Sequence, residues 1–266
     1  MRSFALLPLW FGGLLFISLA VSFSMFGALL ADRFIPHQVL AVHNNIAGFI
    51  FPVIGVIDAV LLAFLAIGVW ERFQTAEQRV HEEASQVSVL YKRADVFSEA
   101  QLIRDELKEY AETVIHVEWP KMARGDRTVD AGPILERIAY HVRHLPIHSM
   151  TEQNAQGSMF DLLSVIERDR VNRLSMSASG LNGFLWIVLW TGTVVTVGFT
   201  FLFAFENVAL QLTMIGALAF ALALVLFLIA SLEHPFRGQV SVTPEAFHNA
   251  LSNFEQIETV KLQQSK

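Results

Sequence analysis

The run 46-IAGFIFPVIGVIDAVLLAFLAIGVW-70, continued without a break by 71-ERFQTAEQRVHEEASQ-86, decides the fold. Its first part carries one charged side chain, Asp58, and exceeds the roughly 20 apolar residues a helix needs to cross a hydrocarbon core. Its second part is charged, yet Phe73, Ala76, Val80, Ala84, Val87, Tyr91 and Ala94 recur at steps of three and four. That spacing is one apolar stripe on a helix. One helix is therefore expected to run from the bilayer directly into a water-soluble domain.

Three further runs are long enough to cross a membrane, Phe4–Leu30, Phe184–Phe205 and Val208–Leu232. Ala28-Leu29-Leu30-Ala31 loosely resembles a signal cleavage region, but the apolar stretch before it exceeds the usual 7–15 residues or so of such a signal. Only Glu206 and Asn207 separate the last two runs, which predicts a tight antiparallel hairpin. The fold class is an all-α membrane protein, with four transmembrane helices and a helical cytoplasmic domain inserted between the second and third. Residues 1–70 form the first helix pair, 71–180 the inserted domain, 181–233 the second pair and 234–266 a cytoplasmic C-terminal segment.

Composition agrees with this reading. Of 266 residues 53% are hydrophobic and 17% charged, unlike an ordinary soluble domain. A net charge of -6 argues against nucleic acid as a partner. The absence of cysteine excludes disulfides, thiolate metal sites and a cysteine nucleophile. Arg2, Arg72, Arg79, Arg168, Arg170, Arg173 and Arg237 fall on one side of the spans, against Arg33 on the other. This bias places both termini and the inserted domain in the cytoplasm, the protein being multi-pass in the inner (plasma) membrane. Trp70, Trp186 and Trp190 sit at helix ends on that side, where indoles prefer the headgroup level.

Within the inserted domain a second stripe runs through Leu102, Leu107, Tyr110, Val114 and Val117, after a break near Phe97–Ala100. Trp119-Pro120 is expected to stop it, since proline disfavours helical geometry in the residue before it. Pro133–His144 and Glu152–Leu174 read as two more helices.

Asp58 is the sharpest candidate. An acid at that depth must face protein or water and often marks an ion path; the alternative is a protonated carboxyl bonded to a neighbouring helix. Gly55, Ala59 and Ala63 lie four apart, the small-residue spacing of a helix-packing face. Asn44, Phe51, Ile54, Asp58, Leu61 and Leu65 form an adjacent stripe, expected to line a pore with apolar constrictions and one acidic ring. Glu77, Glu82 and Glu83 read as a vestibule or as a solvated face balanced by Arg72 and Arg79. His141, His144 and His148 have helical spacing, but Pro146 interrupts it, so no metal is expected. There is no phosphate-cradling loop or nucleophile elbow, so neither an enzyme nor a cofactor is expected.

Several motifs together resemble the bacterial bestrophin-like domain family. They are His43-Asn44-Asn45 with Gly48 and Gly55, then Leu61-Leu62-Ala63-Phe64 and Val69-Trp70-Glu71, followed by Leu90-Tyr91, Tyr110 and Glu118-Trp119-Pro120. Met122, Gly125, Arg170, Arg173-Leu174, His234-Pro235-Phe236 and Gly238 continue the likeness. Bestrophins are pentameric anion channels with four membrane helices per subunit, the second lining the pore with a narrow hydrophobic neck. The resemblance thus implies a homo-oligomeric ion channel, a pentamer, whose partners are the lipid bilayer, further copies of itself and a permeating ion. Two departures stand out. Pro235-Phe236-Arg237-Gly238 is followed by Gln239-Val240-Ser241 instead of the acidic run that helps bestrophins bind calcium, so calcium gating is not implied. Position 58 is usually aromatic in the family; an acid there favours cations where the resemblance favours anions. The alternative to a channel is a non-conducting scaffold or sensor signalling through the cytoplasmic helices.

Overall fold

A computed structural model describes residues 9–34, 37–97, 100–126, 130–203 and 207–264, with side chains undescribed also at 9, 37–43, 261, 262 and 264. Arg2, the start of the first run, and the turn residues Phe205 and Glu206 lie outside the described residues. No strand occurs among those described. The helices are α1 (Leu9–Phe34), α2 (His37–Arg93), α3 (Gln101–Thr113), α4 (Trp119–Arg124), α5 (Gly132–Arg143), α6 (Met150–Ala178), α7 (Gly183–Thr200), α8 (Val208–Leu232) and α9 (Glu245–Gln264). The chain divides into two compact units, Met1–Glu71 with Gly180–Glu233, and Arg72–Ser179 with His234–Lys266.

Among the described residues four helices, α1, α2, α7 and α8, are long and apolar enough to cross a membrane; the first unit holds α1, α7, α8 and the apolar part of α2. Pro52 lies inside α2 without ending it, as neighbours in membrane helices re-satisfy the freed backbone groups. Helix α1 packs along α8 at close range, because its contact positions are small. Phe227 sits at 2.9 Å from where a Cβ on Gly13 would be, and on α8 a Cβ on Gly216 would lie 3.6 Å from Val21 and 3.7 Å from Met25. Helix α7 ends at Thr200, short of the expected Phe205, and the Asn207 side chain caps α8 by accepting from the backbone of Ala209 and Leu210. Glu233 accepts from Trp186 Nε1 at 3.2 Å and from the backbone N–H of Leu181 at 3.0 Å.

The second unit has a continuous buried core. The stripe from Ala76 to Ala94 on α2 is buried as its spacing predicts. Trp119-Pro120 does not stop the helical path. A π turn over Val114–Glu118 precedes Trp119, and Pro120 falls in the first turn of α4, where its missing N–H costs nothing. The path ends instead at Gly125, with φ +81°, over the guanidinium of Arg237. Any side chain there would meet both a left-handed backbone and that guanidinium.

At the centre of this core lies a charge network. Arg173 donates to Glu83 at 2.8 and 3.0 Å and to Glu118 at 2.8 Å. Arg170 donates to Glu118 at 2.6 Å, as does the backbone N–H of Ala131 at 3.0 Å, and Tyr110 donates to Glu83 at 2.6 Å. Arg173, Glu83 and Glu118 are each 0% exposed. Glu83 is thus neither a vestibule residue nor part of a solvated face, because α2 turns it inward to meet α6; Glu82 remains at the surface with Arg79. The Arg173 guanidinium also lies over Trp119 and Phe247, 5.7 and 5.9 Å from the ring centroids. Trp119 meets Phe236 and Phe247 edge to face.

The C-terminal segment supplies α9 (Glu245–Gln264). Ala246, Phe247, Ala250 and Phe254 are its buried face. Phe254 stacks on Tyr91 at 4.0 Å, and Glu258 accepts from Tyr91 and Lys108 at 2.6 Å each.

Replacing Arg173 by Met leaves two buried carboxylates facing each other, and removing one partner of such a network costs about 3–5 kcal/mol. The variant is expected to lose that much stability, read as a lowered thermal midpoint of the detergent-solubilised protein. Burial alone would raise the Glu118 carboxyl, but Arg173 and Arg170 outweigh it and hold it below its ordinary value of 4.5. A depressed acid contributes stability that is complete above the unfolded value and is lost as pH falls through the folded one. Stability is therefore expected to hold at neutral pH and to decline below pH 4.5; Glu118→Gln should flatten that decline in a pH series of thermal midpoints.

Candidate functional site

Helix α2 is the least enclosed of the membrane helices. In its most apolar window 11% of residues are buried, against 39% in α8. What it does bury lies on one side. Ala47, Asp58, Leu62 and Val69 are buried, and Phe51, Ile54 and Leu65 half-buried. Phe51 stacks against Phe199 with centroids 6.1 Å apart and meets Phe203 edge to face at 5.7 Å. Asp58, 3% exposed, accepts a hydrogen bond from Thr196 Oγ1 at 3.0 Å through Oδ2. Its Oδ1 is buried without a partner, and a Cβ added at Gly192 would collide with it.

Two members of the stripe expected to line a pore, Phe51 and Asp58, are therefore in contact with α7. At about 100° per residue, Asn44, Phe51, Ile54, Leu61 and Leu65 all lie within roughly 60° of Asp58. Asn44 is half-buried and Leu61, at the edge, is exposed. The acid is a packed group within the chain, as a polar side chain facing hydrocarbon would be costly. The small-residue face behaves oppositely. Gly55 has no heavy atom within 4 Å of an added Cβ, and Ala59 and Ala63 are exposed. The two faces are sound as periodicities; which of them meets the rest of the chain is not encoded in spacing.

Opposite Asp58, near 180° around the helix, lie Phe49, Val53, Val56, Val60 and Ile67. All are exposed, Phe49 the most at 82%. This wall is apolar throughout and runs ~27 Å at the helical rise. Sequence reading passed over it because Val, Phe and Ile in a membrane helix need no explanation. The α7 partners, Gly192 and Thr196, are spaced i, i+4 but carry no distinct signal, since the same helix also holds Thr191, Thr193 and Thr200.

Elsewhere, His144 Nδ1 lies 2.7 Å from the Tyr140 carbonyl, and His141 Nε2 lies 3.4 Å from Glu106. Among the described residues no three potential metal ligands gather.

No curated protein matches the chain. Among solved structures, the fold matches the crystal structure of a substituted membrane protein with TM-score 0.70 and 13% identity, covering 90% of this chain and 97% of that one. Two structures of a bacterial bestrophin homologue from Klebsiella pneumoniae, each with one substitution, match with TM-score 0.68. The first is 12% identical and covers 91% of this chain and 98% of that one. The second is 13% identical and covers 91% and 97%. The model of the bestrophin-like domain family matches residues 18–247. With most of its length matched, the chain belongs to the bestrophin-like domain family.

Proposed function

We propose that this chain is the subunit of a homo-oligomeric ion channel, a pentamer in the inner membrane with both termini and the charged unit in the cytoplasm, in which α2 lines the pore. The observation that carries this reading is the uncovered wall of α2. A helix tied to its own chain along one stripe, with its remaining surface open, offers that surface to neighbouring copies and to an axis between them. Gly55, Ala59 and Ala63 flank the wall and suit the close approach of an adjacent α2. Phe49, Val53, Val56, Val60 and Ile67 then face the axis as an apolar neck, which gates by dewetting. Phe51 and Asp58 tie the helix to α7 from behind, on the side that also carries Asn44, Ile54, Leu61 and Leu65. Asp58 sits on that rear side, so no acidic ring opposes anions, and small monovalent anions are the proposed cargo. The continuity of α2 from His37 to Arg93 also favours a second reading, a non-conducting sensor that works through the charged unit.

The mass of the detergent-solubilised protein is the first check: five copies are expected, and a monomer or dimer cannot surround a pore with one helix each. In proteoliposomes, chloride flux above empty liposomes is expected, with little sodium flux. No flux of either ion from an intact oligomer would leave only the sensor reading. Val60→Ser, which wets the neck, should raise the flux, while Asp58→Asn should leave the preference for anions unchanged.

A further inference from the structure

The membrane part of α2 touches α7 at two levels, about two turns apart. At the first, Phe51 packs on Phe199 and Phe203. Apolar contact of this kind is non-directional and leaves the rotation of a helix about its own axis loosely set. The second level is directional. Thr196 is 2% exposed and donates to Asp58, and Gly192 leaves room for the carboxyl where any side chain would collide. Turning α2 out of this fit would strip Oδ2 of its donor while Oδ1 already lacks one, leaving the whole carboxyl unsatisfied in hydrocarbon.

We infer that Asp58, Thr196 and Gly192 form an intramembrane latch that fixes the rotation of α2 and thereby selects which of its residues face the axis. They are positioning residues. The consequence for conduction rests on α2 being the pore helix, whereas the latch itself lies within one chain. A rotation of about 100°, one residue's worth, would bring Ile57 and Leu61 to where Val56 and Val60 stand.

The chain contains no cysteine, so introduced thiols can be read without background. In the full-length protein in liposomes, Phe51→Cys and Phe199→Cys together should be bridged efficiently by a short bifunctional thiol reagent. Adding Asp58→Ala or Gly192→Ala should lower bridging about fivefold, the equivalent of one net hydrogen bond. Asp58→Asn, which keeps an oxygen for Thr196, should retain it. Asp58→Ala with Gly192→Ala should bridge no less than Asp58→Ala alone, since without the carboxyl the new methyl has nothing to collide with, the non-additivity of coupled neighbours in a mutant cycle. Single thiols at Val60 and Leu61 provide a readout of rotation: a water-soluble reagent should favour Val60→Cys in the parent, and the preference should vanish in either Ala variant. If Asp58→Ala does not assemble, Thr196→Val removes the donor at constant shape and carries the same test. Equal bridging in the parent and both Ala variants would overturn the latch, as would a double variant that bridges less than either single one. Absent flux with the bridging pattern intact would instead overturn the channel and leave the latch standing.

Discussion

Arg173 carries a charge with no access to water, and the charged unit is arranged to hold it. Two carboxylates, Glu83 from α2 and Glu118 from the end of the π turn, take its guanidinium, and Arg170 restores the balance by sharing Glu118. Neither pair is independent, because Glu118 serves both arginines and the backbone of Ala131. The π turn has a local reason in this light. Its wider i→i+5 turn shifts the rotational phase of the residues that follow, and from there the Glu118 carboxylate meets α6 while the Trp119 indole meets Phe236 and Phe247. Such turns cluster where a side chain must be aimed.

Those family-like motifs that lie in the charged unit converge on this place. Glu118-Trp119-Pro120, Arg170, Arg173, Tyr110 and Phe236 lie far apart in sequence and share one core. Their chemistry is structural: a buried ion network with aromatic walls fixes how α2, α6 and the C-terminal segment meet. Gly125 belongs to the same arrangement, its left-handed backbone lying on Arg237, which in turn donates to the Ser177 carbonyl. A recognisable signature and a site of activity are therefore different things here.

Helix existence was legible where a stripe or an unbroken apolar run was long, as in α2, α6 and α8. The course through Trp119-Pro120 was not, because a proline rule for the preceding residue says nothing of a π turn that places proline in a fresh first turn. Helix α9 announced itself only as Ala246, Phe247, Ala250 and Phe254, a short stripe whose meaning comes from Tyr91 and Trp119 elsewhere. Glu83 looked solvated because it follows Glu82 and precedes a small residue; only the partner on α6 tells the two acids apart. On α2 both faces were legible as periodicities, but periodicity has no sign, and the partner on α7 decides which side is covered.

Asp58 and Glu118 are two answers to one constraint, an acid that water cannot reach. Glu118 is answered with cations, affordable because arginines from α6 arrive with their own aromatic cover. Asp58 has no cation near it among the described residues; a threonine hydroxyl and a bare glycine backbone answer it instead. The hydroxyl bonds one oxygen while Gly192 only leaves room for the other, an answer weaker in energy and stricter in geometry, since a hydroxyl reaches only a short arc of the neighbouring helix. A charge placed for permeating ions would need the open wall opposite α7, where Phe49 through Ile67 offer none. On the proposed pore helix, the ionisable group at mid-span therefore stands on the side away from that wall and sets its position instead of belonging to it.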